Sequence, residues 1–437
     1  MAFIIGIVIL LVGITLSIAL HEFGHLVPAK LFGVRVPKYV VGFGPTLWST
    51  KRGDTEYEIK PFPLWGYVRL MGMVPPADEV KPVTGTGWMA RMIRETRQSA
   101  VEEIEPGDEP RAFYRLSWPK RVVVMAGGTF MNLFLVVLIL TGIGIFYGAE
   151  TTVPTVAGVV ECAAPTGEDG ECLAEDPPTA ASLAGFEVGD TIVAVDGMEV
   201  EDWDVLVGYI QGHADVQVVF TVDREGDEII LRAAPTLEFR PVDDEDGNYV
   251  VDRDGNIVTR QTGFLGVQPT LTIEKQGIGW GSVTTVEYLG LTVEIMSHLP
   301  EQLWHAGRAA FGLEERDPDG IIGFVGAGRI AGEIAAVDDP EVTMADQVAA
   351  MFALVAAVNL ALFVFNLIPL TPLDGGHVAG ALWQGVKNGW ARLRKAPRPH
   401  PVDLARMMPL SYAVVILFVF MAGLLIYADL VAPVSLR

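Results

Sequence analysis

Residues 2–25 read A-F-I-I-G-I-V-I-L-L-V-G-I-T-L-S-I-A-L-H-E-F-G-H, an apolar run that ends directly in an ionisable cluster. Residues 2–20 contain no Asp, Glu, Lys, Arg or His. A bilayer core takes about 20 such residues as a helix, so this stretch predicts a membrane span. Cleavage as a signal peptide fits poorly, because a basic leading region and a small-residue cleavage site are both lacking and the residues that follow carry chemistry. Three further runs, 122–147, 347–373 and 407–428, are equally free of charge, and four spans follow.

The rest of the composition agrees. Half of the 437 residues are hydrophobic and only 19% are charged, which is unlike a water-soluble globule. The net charge of -23 argues against nucleic acid as a partner, since that affinity rests on basic side chains. Lys and Arg near span ends mark the cytoplasmic side. Residues 26–121 hold 15 basic and 11 acidic residues, and residues 375–408 hold 6 and 1, so both segments are expected in the cytoplasm. Residues 149–345 hold 9 basic and 38 acidic residues and are expected outside, with both termini. There a disulfide between Cys162 and Cys172 could persist.

In His21-Glu22-Phe23-Gly24-His25 the two histidines stand at i and i+4, on one face of a helix. They can grip one zinc ion while Glu22 acts on water. Read alone, the pentapeptide also suits two interfacial histidines at a span end. Ionisable residues continuous with a span are functional candidates, however. A catalytic zinc takes three protein ligands and one open position. The third span runs into Asn366-Leu-Ile-Pro369-Leu-Thr-Pro372-Leu-Asp374-Gly375-Gly376-His377. The prolines end the helix and the glycines permit irregular backbone, which leaves Asp374 at the depth of His21 and His25. By itself this stretch also reads as an ordinary turn.

Taken together, the two segments resemble the site-two protease family of membrane-embedded zinc metalloproteases. The resemblance implies Zn2+ held by His21, His25 and Asp374, and Glu22 as general base or acid. It further implies that Asn366, Pro369, Gly66 and Tyr67 bind substrate. Pro63–Leu70 (P-L-W-G-Y-V-R-L) resembles the family's P-L-G-G-Y-V-K-M hairpin, which re-enters the membrane, and Ala126–Asn132 (A-G-G-T-F-M-N) resembles its A-G-P-x-x-N motif. Without the family, the alternation of Thr55, Tyr57 and Ile59 with Glu56, Glu58 and Lys60 still predicts a strand, with a second after the Pro61–Pro63 break.

From Ala180 the chain reads A-A-S-L-A-G-F-E-V-G-D-T-I-V-A-V-D-G-M-E-V, followed by a helix-like stretch from Trp203 to Gln211 and strands near 216–222 and 228–233. Asp196-Gly197 between apolar residues signals a tight turn. Residues 154–238 resemble a bacterial PDZ domain, which implies either capture of an extended peptide tail by strand addition or a module that only blocks large substrates. The acidic loop 161–178 carries the two cysteines. Residues 241–260 contain incomplete calcium-loop fragments and read as solvated turns.

The expected architecture is thus an α-helical membrane protein with four transmembrane helices and a re-entrant β-hairpin, plus an extracytoplasmic α/β PDZ domain. Residues 1–150 form the first membrane half (spans 2–25 and 121–148, hairpin near 55–75), and residues 151–270 the PDZ region. Amphipathic interfacial helices occupy 271–343, and the second membrane half 344–437 has spans 346–373 and 407–430. The resemblance implies an endopeptidase of the inner, cytoplasmic membrane acting in regulated intramembrane proteolysis, its site near the cytoplasmic face. Its partners would be the lipid bilayer and single-span membrane proteins, among them trimmed anti-sigma factors and remnant signal peptides. A rival of another class is a non-catalytic receptor or chaperone that binds membrane-protein tails through the PDZ-like segment, but it would need no Glu22. A metal-ion transporter would need ionisable residues along more of the spans.

Overall fold

The computed structural model describes residues 1–162, 172, 176–200, 202–241, 258–317 and 320–434. In chain order these form α1 (Ala2–Leu31), β1 (Lys38–Phe43), β2 (Trp48–Arg52), β3 (Thr55–Ile59), β4 (Phe62–Arg69), α2 (Trp88–Glu102) and α3 (Trp118–Phe146). Next come β5 (Ala149–Val159), α4 (Ala180–Ala184), β6 (Thr191–Val195), β7 (Met198–Glu199), α5 (Trp203–Gly212), β8 (Val218–Arg224), β9 (Asp227–Ala233), β10 (Thr236–Pro241), β11 (Thr259–Phe264) and β12 (Val267–Glu274). The chain closes with α6 (Trp280–Ser297), α7 (Leu299–Ala310), α8 (Phe324–Ala336), α9 (Met344–Leu367), α10 (Asp374–Leu393) and α11 (Met408–Val431). They divide into two compact units, Met1–Phe146 with Gly277–Arg437, and Tyr147–Gln276.

In the first unit, α1, α3, α9 and the stretch Leu404–Val431 are long and apolar enough to cross a membrane, and the protein is a membrane protein. Ile4, Val8, Val12 and Leu16 form an outward stripe on α1, whereas Leu10 and Ile14 turn inward onto Ala331, Ile334 and Met351. With lipid tails as apolar as leucine, association of such helices depends on close backbone approach and on buried hydrogen bonds. Both occur here. A Cβ on Gly24 would lie 2.3 Å from the Gly127 carbonyl oxygen, and one on Gly127 would lie 2.1 Å from that of Gly24, so α1 and α3 touch through two glycines. Asn359 of α9 donates to Ser17 Oγ of α1 at 2.8 Å, with both side chains buried. Asp429 of α11 accepts the Gly323 and Gly326 amides at 2.9 and 2.8 Å. One oxygen of this carboxylate is thereby held at the N-terminus of α8, and the other lies 3.6 Å from Arg316 Nη2. Trp280, Leu289 and Met296 of α6 pack against α3 and α9, so this helix lies along the spans.

Four strands follow α1 in the sheet order β2-β3-β1-β4, with β1 parallel to β3 and antiparallel to β4. The expected hairpin between residues 55–59 and the strand after Pro61 therefore takes another form, because β1 lies between the two. The hairpin of this sheet is β2–β3, where Arg52 pairs Thr55 across a Gly53-Asp54 loop with Gly53 at φ +59°. A two-residue loop of that kind closes adjacent strands directly. Val40 of β1 is fully buried, as suits a central strand, while Pro63 lacks an N–H and suits an edge such as β4.

The second unit holds the sheet β12-β5-β6-β8-β9, with β7 paired to β6, and a separate β10–β11 pair. Its core gathers Ile192, Val195, Val218, Phe220 and Val222 from the sheet around Leu206 and Ile210 of α5. Asp196 (φ +48°) and Gly197 (φ +78°) make the tight β6–β7 turn. Cys162 and Cys172 are joined by a disulfide. The calcium-loop fragments at 242–257 and most of the acidic loop lie outside the described residues. Asp190, fully buried, receives Arg224 Nε at 2.6 Å and Nη2 at 2.8 Å. Burial pushes the Asp190 carboxyl up, but Arg224 and the Glu187 amide outweigh it and hold the group below its ordinary range. A carboxylate lowered in the folded state gives stability that is complete above the ordinary value and lost as pH falls through the native one. Asp190→Ala is expected to destabilise this unit by about 1–3 kcal/mol, because it removes the buried acceptor of Arg224 and of the Glu187 amide while Arg224 keeps Glu187 at 2.7 Å and the Gly185 carbonyl at 2.8 Å. Unfolding followed against pH should show an acid-dependent loss in the unmodified protein that is smaller in the variant.

Candidate active site

His21 and His25 lie one turn apart in the last third of α1, and α3 and α10 complete their surroundings. Proline at 369 ends α9 at Leu367, and the chain turns through Ile368–Leu373 before α10 starts at Asp374. The turn needs small residues. A Cβ on Gly375 would come within 2.3 Å of the Ile368 carbonyl oxygen, and one on Gly376 within 2.4 Å of the Thr371 nitrogen. That tight return carries Asp374 to α1.

Three atoms converge there. His21 Nε2 and His25 Nε2 each lie 3.2 Å from Asp374 Oδ2, and 3.2 Å from each other. The rings meet nearly edge to face, at an interplanar angle of 81°. His25 Nδ1 donates to the Val124 carbonyl oxygen at 2.8 Å, which turns the Nε2 lone pair toward the cluster. Two imidazole lone pairs and a carboxylate oxygen are all acceptors, and their convergence fits a cation such as Zn2+, which takes N and O donors with one position left open. Among the described residues this is the one cluster of three or more potential metal ligands.

Glu22 sits between this cluster and the edge strand β4. A Cβ on Gly66 would lie 2.8 Å from Ile18 Cγ2 and 3.3 Å from Glu22 Cγ, so only a glycine lets β4 approach α1 beside the glutamate. The sheet is pinned there by Tyr39, whose hydroxyl donates to the Ala19 carbonyl at 2.6 Å. Of the other sequence-predicted residues, Tyr67 lies next along β4 and partly exposed, Asn366 is half-buried in the last turn of α9, and Pro369 is exposed in the following turn.

Sequence reasoning missed two contributors. The Thr129 hydroxyl, buried in α3, donates to Asp374 Oδ2 at 3.3 Å. The backbone of Gly128 backs His25, and a Cβ there would stand 2.2 Å from Nε2. Because Val124 anchors the far side of the ring, His25 has no easy retreat. Gly128→Ala is therefore expected to lower zinc affinity and cleavage rate by about 10–100-fold, the range for disturbed support of a metal ligand. Zinc titration of the purified protein, with a melting curve to verify folding, checks it. The signal available in the sequence was the Gly127-Gly128-Thr129 triplet inside an otherwise bulky span.

Comparison with known proteins agrees with this geometry. The profile of Peptidase family M50 matches residues 9–397. Zinc metalloprotease Rip1 of Mycobacterium tuberculosis is 32% identical over 445 residues, covering all of both chains. Rip1 of Mycolicibacterium smegmatis is 32% identical over 452 residues, again covering all of both. Metalloprotease MmpA of Caulobacter vibrioides is 26% identical over 396 residues, 88% of this chain and 87% of the other. With the match running from within the first apolar helix past Asp374, the chain belongs to peptidase family M50, the site-2 proteases, as a zinc metalloprotease of intramembrane proteolysis.

Proposed function

We propose that the protein is an endopeptidase of the inner, cytoplasmic membrane that cuts single-span proteins within or beside their membrane helix. Membrane-anchored anti-sigma factors already trimmed outside, and remnant signal peptides, are the substrates this reading favours. The observation that carries it is the meeting of His21, His25 and Asp374 beside Glu22 and an open sheet edge. His21, His25 and Asp374 are the zinc ligands in this reading. Thr129 orients the Asp374 carboxylate, and the Val124 carbonyl fixes the tautomer of His25.

When bound, zinc polarises the scissile carbonyl and lowers the pKa of water to about 7. Glu22 takes the proton from the attacking water and passes it to the leaving amide nitrogen. A helical substrate hides its carbonyls in its own hydrogen bonds. The outer edge of β4, the last strand of its sheet, offers an opened segment new backbone partners by strand addition, next to Glu22. Gly66 and Tyr67 guide that strand in this reading, and Asn366 and Pro369 join them in holding substrate. Helix-breaking residues near the scissile bond therefore favour cleavage.

Charge distribution supports cytoplasmic placement of residues 26–121 and 375–408, and external placement of the acidic 151–270 region. Within that region residues 154–238 act as a PDZ module, a reading supported by the sheet packed on α5, and they receive a peptide tail or restrict entry to trimmed substrates. The test is cleavage of a tagged single-span anti-sigma remnant in reconstituted membranes, with and without a zinc chelator. Product that disappears with chelator and returns with added zinc is the expected result. Substrates left whole under all conditions, with a tail still bound to the 154–238 module, would favour the receptor reading instead.

A further inference from the structure

Beyond Gly66, β4 runs into a cavity of about 540 Å³, within the range of about 300–1,000 Å³ typical of ligand pockets. Tyr67 and Arg69 of β4 line one wall, Met92 and Glu95 of α2 with Glu103 just after it the opposite one, and Tyr412 of α11 closes the end. At about 3.3 Å per residue, a chain extended along β4 reaches this space within one to three residues of the position opposite Glu22.

The wall formed by α2 is fixed. Arg97, buried on the inner face of α2, pairs with buried Asp403 and donates to the Lys81 carbonyl oxygen at 3.2 Å. Glu103 is bridged across the cavity to Arg69 at 2.7 Å. Glu95 is exposed on the cavity wall and has no ion-pair partner among the described residues. An unmatched carboxylate above a floor of Leu70, Met73 and Val74 complements a side chain with an apolar stem and a cationic head. Lys and Arg have that form, and they concentrate at the cytoplasmic ends of membrane spans.

We propose that this cavity is a specificity subsite for a Lys or Arg in the cytoplasmic juxtamembrane segment of the substrate, which runs extended past β4 and sets its cation against Glu95. The proposal deepens the intramembrane protease reading and rests on it. The subsite selects substrates by their flank, one to three residues from the cleaved bond, while the span itself supplies the scissile segment.

The experiment uses the full chain in liposomes and three single-span reporters that share one span and differ in the flank, which carries Lys, Ser or Glu one to three residues beyond the cleavage position. The readout is the ratio of kcat/KM between flanks. An exposed charge pair gives only a modest preference, and reversal converts attraction into repulsion, so the unmodified protein should prefer the Lys flank over the Glu flank by about two- to thirtyfold. Glu95→Gln should bring the ratio close to one, and Glu95→Lys should invert it, with zinc content unchanged in both. Ratios that stay the same in all three proteins overturn the subsite and leave the protease reading intact. An unmodified protein that cuts none of the reporters, with zinc bound, overturns both.

Discussion

Glu22→Gln is expected to reduce cleavage of a single-span reporter by about 10²–10⁴-fold, the usual contribution of a positioned general base, with zinc still bound. The substitution keeps the size and shape of the side chain that packs beside Gly66. It also leaves His21, His25 and Asp374 untouched, and those three atoms already converge to 3.2 Å without help from Glu22. What the amide lacks is a basic oxygen able to accept a proton from water and release it to nitrogen. Metal content measured with a chelating dye, alongside the initial rate in proteoliposomes, separates the two effects. A variant that keeps its zinc and its rate would remove Glu22 from the mechanism, and one that loses both would make it a contributor to metal binding.

The legible part of the site was the part written in one stretch of sequence. His21 and His25 are four apart in α1, and that spacing alone puts both rings on one face. The four spans were equally plain, because a bilayer demands long uncharged runs whatever their neighbours do. Less was readable where partners lie far apart in the chain. Thr129 reaches Asp374 across 245 positions, and a threonine in a span usually bonds its own preceding turn. The strand order was hidden for a related reason. Residues 55–59 and 62–69 adjoin in sequence, and nothing in their alternation reveals that Lys38–Phe43 enters between them. The decisive features were local glycines, Gly53 in the β2–β3 loop and Gly66 against α1, whose meaning depends on what stands opposite. The cavity beside α2 was invisible for want of any motif, since its walls come from β4, α2 and α11.

Replacing Asp374 should have a still larger effect on the metal. Loss of a mere outer partner of a zinc ligand costs about 10–100-fold in affinity, and in the proposed site Asp374 is itself one of the three convergent groups that could hold the ion. Asp374→Ala leaves two imidazoles, one short of the three protein ligands a catalytic zinc holds. At a free-zinc level that saturates the unmodified protein, Asp374→Ala should bind little metal and cleave no reporter. Asp374→Asn is the sharper variant, because it keeps the shape while removing the charge. It preserves packing at Thr129 and a polar group at the first turn of α10, where the helix N-terminus favours an oxygen. Its melting curve in detergent should therefore match that of zinc-free unmodified protein, while its zinc affinity falls by at least about 100-fold. Raising zinc far above that shifted midpoint should recover binding before it recovers cleavage, because a neutral amide oxygen holds the ion less firmly in place. Full zinc affinity in Asp374→Asn would exclude Asp374 as a charged ligand and would turn attention to His377, one turn further along α10.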